Sequence, residues 1–363
     1  MYLMNKRLKN NKDISEEISK KKFKIKDYIL IVLLLPLFIY FLWIYLIKEK
    51  KTNKNQFFFF LNKTELNYCE NFGLMIYDYN NKSQFINLGD YIQSLAALQF
   101  LPKNCYPYLI SREKLRYYNG PIVNLFMNGW YNISHGNKII SNHIKPIYLS
   151  IHIYNIDDLD TQAIGNFKKY EPIGCRDLST LNLLRNKGID SYFSSCLTLT
   201  LDIDYGINDY ERTNEIIFVD YSFGMDPKID KSILSLKEYN FNNITFLTHG
   251  LRSNISQIER FKLAKNYLDK YARAKLVITT RLHVAFPCLA LKTPVILIKY
   301  KFFDENRFSG LFDFLNTIGN NKNSEFEINV KLDKKNKVIN PDKYLKYAYQ
   351  FKKYLRKLKI YKS

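Results

Sequence analysis

Between residues 68 and 340, short apolar runs of strand length alternate with stretches whose apolar positions recur every three or four residues. That alternation is the pattern of parallel α/β layers. It predicts strands at "LMIYDY" (74–79), "PIVNLFMNGW" (121–130), "KPIYLSIHI" (145–153), "EIIFVDYS" (215–222), "NITFLTH" (243–249), "KLVITT" (275–280) and "PVILIKY" (294–300). Helical spacing predicts helices over 90–101, 177–187, 255–273 and 281–291. A polar break at 203–213, "IDYGINDYERT", separates two blocks of comparable size. The expected fold is therefore α/β, with two Rossmann-like doubly wound domains, 68–205 and 206–339, and a cleft at the carboxyl ends of their strands.

Two segments break this pattern. "YILIVLLLPLFIYFLWIYLI", Tyr28 to Ile47, holds 20 residues and no charge, which at a helical rise of 1.5 Å is about 30 Å, the thickness of a bilayer core. It reads as a transmembrane anchor between a basic tail (1–27) and a polar stalk (48–67). A cleavable leader fits less well, because "KEKKTNK" stands where small residues would mark a cleavage site. The longer basic flank places the N-terminus in the cytosol, which makes the expected protein single-pass with its body on the other side. At the far end, residues 340–363 place Tyr344, Ala348, Phe351, Leu355 and Leu358 along one face of a basic helix. Packing against the body is favoured there over contact with a membrane surface.

Composition changes this picture little. The chain is 363 residues long, 47% hydrophobic and 25% charged, with a formal net charge of +21. Residues 1–54 carry 13 Lys/Arg against 5 Asp/Glu, and residues 341–363 carry 8 against 1. The charge thus sits mostly at the ends, and the mildly basic body suits a small anionic substrate. Nucleic acid is not the expected partner, since the 29 Tyr and 26 Phe are scattered and do not interleave with basic residues in one module. Cys69, Cys105, Cys175, Cys196 and Cys288 lack metal-ligand spacing, so no metal site is expected, and the cysteines within apolar runs read as small buried hydrophobes. No Gly-x-Ser-x-Gly elbow and no His-Glu-x-x-His pair occurs, which argues against a serine hydrolase and a zinc peptidase.

Four places can carry chemistry. "LVITTRLHVAFPCLALKTPVILI" (276–298) puts Arg281 and His283 inside an otherwise apolar strand–helix–strand run. With Thr280 as N-cap, both would fall in the first helical turn, where free amides and the helix dipole favour an anion and Arg281 adds a fork for phosphate or carboxylate. A cation suits a bare N-terminus poorly, and a bound anion would remove the conflict. Pro287 would free the carbonyl of His283 and kink the helix. In "GCRDLSTLNLLRNKGI" (174–189), Asp177 can cap a helix and Arg176 can serve as a second anion clamp. In "NLGDYIQSLAALQF" (87–100), Asp90 and Gln93 have capping-box spacing. Following other strands, Trp130 offers a flat face to a sugar ring, while His249 and Arg307 can meet an acceptor's charge or another phosphate.

"NLGDYIQSLAA", "NGW", "GCRDLSTLNLLRNKGI" with "SCLTLTL", "YARAKLVITTRLHVAFPCLALKTPVILI" and "RFSGL", in that order, resemble the polysaccharide pyruvyl transferase family over about residues 72–315. The resemblance implies a glycosyltransferase-B-like fold that moves an enolpyruvyl unit from phosphoenolpyruvate to two sugar hydroxyls, forming a ketal. It places Arg281 and His283, with Thr280 and Leu282 of the same block, at the donor, His283 being the general acid. It adds Arg176 to the donor site and Asp90 as an acidic, candidate catalytic residue near the cleft. The implied partners are phosphoenolpyruvate as co-substrate, with no further cofactor, and a glycan or glycolipid acceptor. Two other readings fit the same pattern: a sugar-nucleotide glycosyltransferase, and a catalytically silent module that binds anionic glycans.

Overall fold

The computed structural model describes residues 68–78, 85–102, 105–131, 140–154, 159–202, 212–252, 254–300 and 305–358. The expected anchor at Tyr28 to Ile47, with its tail and stalk, lies outside these residues. Among the described residues no helix is long and apolar enough to cross a membrane.

Strands dominated by Ile, Val, Leu and Phe assemble into two parallel layers. The first sheet contains β1 (Tyr68–Ile76), β3 (Tyr106–Ser111), β4 (Val123–Tyr131), β5 (Ile144–Ile153), β6 (Ile173–Cys175) and β7 (Ser191–Phe193), in the order β3-β1-β4-β5-β6-β7. The second contains β8 (Ile216–Val219), β9 (Ile244–Leu247), β11 (Leu276–Thr279), β12 (Val295–Lys299), β13 (Asn316–Asn320) and β14 (Phe326–Asn329), in the order β14-β13-β12-β11-β8-β9. Only β14 runs antiparallel in these two sheets. Counted within each sheet, both follow the doubly wound order 2-1-3-4-5-6. The order in which the strands are added therefore reverses between β1 and β4 in one and between β8 and β11 in the other, the points where ligands bind in such folds. The Rossmann-like α/β expectation is met at this level.

The pleat divides the core. Ile217, Val219, Val277 and Leu297 join a continuous hydrophobic cluster that extends through the helices into the first sheet. Their alternating neighbours Ile216, Phe218, Ile278 and Ile296 face a smaller cluster with Ile229 and Ile233. Helices on both faces explain why all four residues of β8 are buried.

The helices are α1 (Leu88–Leu98), α2 (Thr161–Lys169), α3 (Leu178–Asn186), α4 (Pro227–Leu234), α5 (Gln257–Arg273), α6 (Leu282–Ala290) and α7 (Lys343–Lys357). Three ties join the two sheets. β2 (Phe85–Asn87) pairs antiparallel with β10 (Gly250–Arg252). The α1 side chain Tyr91 accepts a hydrogen bond from Arg260 Nη1 of α5 at 2.9 Å. On the third tie, Tyr344, Phe351 and Leu355 of α7 are buried, and Tyr347 packs its ring against both Phe193 and Phe314. The apolar stripe of this basic helix thus covers the body.

Cys69 and Cys105 form a disulfide that ties β1 to the start of β3, while Cys175, Cys196 and Cys288 are buried and free. Sequence periodicity did not predict β3, β14, α2 and α4, nor several short or polar strands. β2, β6, β7 and β10 have three residues each, and β13 reads "NTIGN".

Gly310 marks a tight approach between distant segments. Its φ is +79°, and a Cβ there would lie 2.6 Å from Leu178 Cγ at the start of α3. Gly310→Ala is expected to lower the unfolding free energy by about 1–3 kcal/mol, measured by denaturant titration against wild type.

Candidate active site

β8 and β11 lie side by side, so Asp220 and Thr280 follow them at the same level of the sheet. Asp220 has φ +55°, a left-handed conformation that Asp tolerates better than branched residues and that tends to occur at functional sites. Its carboxylate accepts from Arg281 Nε at 2.8 Å and from the His249 amide at 3.2 Å, and the Thr248 hydroxyl donates to it as well. Burial pushes this carboxyl up, but the Thr248 hydroxyl, the Arg281 charge and the His249 amide outweigh burial and hold it below its ordinary value.

This arrangement corrects the expected cap. Arg281 itself is the N-cap of α6 and makes no side-chain cap bond, while Thr280 Oγ1 donates to the Asp220 carbonyl at 3.2 Å. Asp220 supplies the counter-charge that a cation beside a helix N-terminus needs. Arg281 remains 45% exposed along its side chain, free to turn its outer nitrogens to an anion. Leu282 is buried in the core, so only its backbone can meet a donor. The helix is irregular at His283 (ψ 17°), four residues before Pro287, where the ring removes the hydrogen bond to the His283 carbonyl.

Arg176 follows β6 and is wholly buried. None of its three side-chain nitrogens has a hydrogen-bond partner. Asp177 Oδ2 stands 3.6 Å from Nε, too far for a hydrogen bond, and is already engaged elsewhere. Asp177 caps α3 as expected, accepting from the Thr180 amide at 2.9 Å, and its Oδ2 lies 2.8 Å from His152 Nδ1. The segment carrying Arg307 is tied to the same helix start. Ser309 accepts from the Leu178 amide through its carbonyl (3.0 Å) and from the Ser179 amide through Oγ (2.8 Å). Two orphan amide donors of α3 thereby fix the approach of Arg307.

His283 gathers these charges. Burial first, then the charges of Arg176, Arg307, His249 and Arg281, hold its imidazole well below its usual range. Its Nε2 is buried without a hydrogen-bond partner. The start of α1 presses on the ring: a Cβ on Gly89 would lie 3.1 Å from His283 Cβ and 3.2 Å from Nδ1. Only glycine gives the helix this approach without displacing the imidazole.

Of the residues expected at the site, Arg176, Arg281, His283 and Arg307 share one electrostatic environment. His249 belongs to it only indirectly. Its Nε2 lies 2.8 Å from the Tyr271 hydroxyl and its carbonyl accepts from the Leu88 amide, so this nitrogen is already engaged inside the protein. Burial, opposed by Asp220 and aided by Arg281, takes its imidazole down to about 3. Asp90 is not the cap of α1. Asn87 is, accepting from the Gly89 amide at 3.1 Å, because its side chain sits one turn earlier. Asp90 is buried in the first turn, bonded by Gln93 Nε2 at 3.1 Å and 3.9 Å from Arg112. Trp130 lies at the end of β4 with its ring 5.4 Å from that of Tyr154.

The sequence reading missed Asp220, His152, Arg112 and Tyr154. For the first two a signal existed: a carboxylate closing "IIFVD" and an imidazole within "LSIHI" are polar residues in apolar strand runs, as Arg281 and His283 are.

A family model described as polysaccharide pyruvyl transferase matches residues 87–301. The matched span runs from the cap of α1 to the end of β12 and includes Asp90, Trp130, Arg176, His249, Arg281 and His283; Arg307 lies beyond it. Among solved structures, a functionally uncharacterised protein from Klebsiella pneumoniae subsp. pneumoniae is similar at 16% identity and a TM-score of 0.37, over 65% of this chain and 87% of that one. A search of curated proteins finds no match.

His152, His249 and His283 all have folded-state imidazoles below their usual value. Their contribution to stability is complete above about pH 6.5, the unfolded value, and is lost as pH falls from there toward their folded values. The unfolding free energy is expected to decline from pH 6.5 downward, and His249→Gln should flatten that decline by an amount on the order of a few kcal/mol across the window down to about 3. Denaturant melts at stepped pH measure it. A wild-type curve that is level between pH 6.5 and 4 would contradict the neutral, buried imidazoles.

Proposed function

Because this chain belongs to the polysaccharide pyruvyl transferase family, we propose that it transfers pyruvate from phosphoenolpyruvate onto two hydroxyls of a glycan or glycolipid as a cyclic ketal. The observation that carries the donor assignment is Arg176: a fully buried guanidinium with no hydrogen bond from any of its nitrogens. A buried charge that lacks hydrogen bonds costs several kcal/mol, and a planar fork of donors matches carboxylate or phosphate. Phosphoenolpyruvate carries both. Arg176, Arg307 and Arg281 supply three positive charges around His283, which suits a compact anion of high charge and requires no metal for its neutralisation.

Donor binding also prepares the acid. Three cationic neighbours and burial keep His283 unprotonated at neutral pH. A multiply charged anion among them reverses the sign of the local field, raises the imidazole and draws a proton onto it. His283 then protonates the methylene carbon of the donor, the positive centre that develops next to it is stabilised by the bound negative groups, and an acceptor hydroxyl adds. Phosphate leaves and the second hydroxyl closes the ketal.

The proposal extends to location. Twenty uncharged residues from Tyr28 to Ile47 between basic flanks suit a single-pass anchor with a cytosolic N-terminus. The Cys69–Cys105 disulfide suits a body on the oxidising side of that membrane. In sealed vesicles carrying the full chain, protease added outside should cut the body only where the non-cytosolic face is outward; a body cut from the cytosolic face refutes this orientation.

His283→Ala and Arg281→Ala are expected to lower phosphate release from phosphoenolpyruvate in the presence of an acceptor panel by about 10²- to 10⁴-fold while leaving the melting midpoint within a few degrees of wild type. Calorimetry in buffers of different ionisation enthalpy should show proton uptake when phosphoenolpyruvate binds wild type and less uptake with His283→Ala. Wild-type turnover by both variants, or stabilisation by a nucleotide sugar and not by phosphoenolpyruvate, refutes the assignment.

A further inference from the structure

One imidazole near this site has no role in the scheme above. His152 is 2% exposed at the carboxyl end of β5. Its Nδ1 lies 2.8 Å from Asp177 Oδ2. A carboxylate only accepts, so the hydrogen-bond network assigns the proton to Nδ1 and leaves a bare lone pair on Nε2. That Nε2 is buried and has no hydrogen-bond partner. An orphaned buried acceptor costs about 1–3 kcal/mol, a cost that a partner at Nε2 would remove. Burial, and after it the charges of Arg176 and Arg307, outweigh the Asp177 contact and hold the ring below its usual value. The same two arginines act on His283. Two imidazoles, each with an unsatisfied Nε2, therefore share the same pair of guanidinium groups.

The surroundings of His152 point to what it meets. β4 and β5 pair Trp130 directly with His152, and partners in parallel strands project from the same face of the sheet. Two residues further on, Tyr154 is exposed, and its ring lies 5.4 Å from that of Trp130. The imidazole thus adjoins an aromatic step open to solvent, the kind of surface on which a sugar ring lies with its apolar face down and its hydroxyls directed to the rim.

We propose that His152 is the general base for the acceptor hydroxyl, with Asp177 as its positioning residue and the Trp130–Tyr154 step as the acceptor sugar subsite. This rests on the pyruvyl transfer reading and extends it from donor to acceptor. His283 gives its proton to the methylene carbon of phosphoenolpyruvate. The first hydroxyl oxygen bonds to the adjacent carbon as its proton passes to His152 Nε2. The bond from that carbon to the phosphate oxygen breaks, the electron pair stays on phosphate, and His152 returns its proton to the leaving group. The second hydroxyl bonds to the same carbon and its proton restores His283. Two hydroxyls lose one proton each, and the new methyl group and the phosphate gain one each. The division needs two imidazoles because addition gives a proton to carbon and takes one from oxygen in the same stage.

His152→Gln tests this, because glutamine retains an N–H donor for Asp177 and lacks the basic lone pair. With a full-length protein that turns over, kcat for acceptor-dependent phosphate release should fall by about 10²-fold or more, while KM for phosphoenolpyruvate and its stabilising effect in thermal melts are retained. Trp130→Ala should raise the acceptor KM and leave the donor KM unchanged. A kcat for His152→Gln within about threefold of wild type reduces His152 to a structural role and leaves pyruvyl transfer standing. Loss of donor stabilisation together with kcat places His152 at the donor and overturns the base assignment. Should His152→Gln fail to fold, nitrogen NMR of wild type decides: a protonated Nε2 overturns the proposal and a bare Nε2 upholds it. A wild type that releases no phosphate from phosphoenolpyruvate with any acceptor refutes the transfer reading and this one with it.

Discussion

The rest of the site depends on the burial of Arg176. A guanidinium held at zero exposure by the end of β6 and the start of α3, with no hydrogen bond to any side-chain nitrogen, is a cost that the remainder of the fold has to carry. Asp177 would be its natural partner, yet the carboxylate is committed to the α3 cap and to His152. The result is a strong field in a region of low dielectric, and that field accounts for much of the local chemistry. Burial first, and that field after it, hold the imidazoles of His283 and His152 below their usual value, and any multiply charged anion is strongly favoured there.

Asp220 shows how the fold limits the accumulation of charge. Three guanidinium groups around His283 would repel one another without relief, and Asp220 offsets one of them by holding Arg281 Nε. Because the hydrogen bond occupies only that nitrogen and the side chain stays 45% exposed, Arg281 is oriented without being consumed. Arg176 is fixed by packing and Arg281 by a carboxylate near the mouth. One guanidinium is rigid and desolvated and the other is accessible, an arrangement suited to meeting an anion at the surface and drawing it inward.

Much of this was legible in the sequence wherever a residue broke a strong pattern. Arg281 and His283 stood out because the run around them is apolar, and Arg176 because it ends a strand before a helix cap. The long parallel strands and α1, α3, α5 and α6 were legible for the same reason: their periodicity is sustained. Three-residue strands carry too few positions to show a period, and β13, "NTIGN", has the composition of a loop. Caps were read one turn out of place at Asp90 and one residue early at Thr280, since several neighbouring side chains can accept from a helix's first amides and tertiary contacts decide among them. Thr280 lost the cap to its bond with the Asp220 carbonyl, a contact 60 residues away. His152 and Asp220 were hidden because each is a single polar residue in a strand run, and the same local pattern would arise from an ordinary buried side chain.

The positive cluster is assembled from separate stretches of chain: Arg176 from the first sheet, Arg281 and His283 from the second, and Arg307 from the segment after β12. No local element could hold their mutual geometry. It is set by contacts between the two halves, several of which end at the site. The β2–β10 pair leads directly into Asn87 and the cap of α1, whose Gly89 presses on His283. The Leu88 amide donates to the His249 carbonyl and the His249 amide to the Asp220 carboxylate, so the register of the two halves reaches Arg281 through one backbone pair and one carboxylate. Ser309 fastens Arg307 to the helix that follows Arg176. Some of the hydrogen bonds that join the sheets thus also place like charges together. A bound anion would relieve that repulsion, so anion binding and the stability of the two-sheet body would be linked.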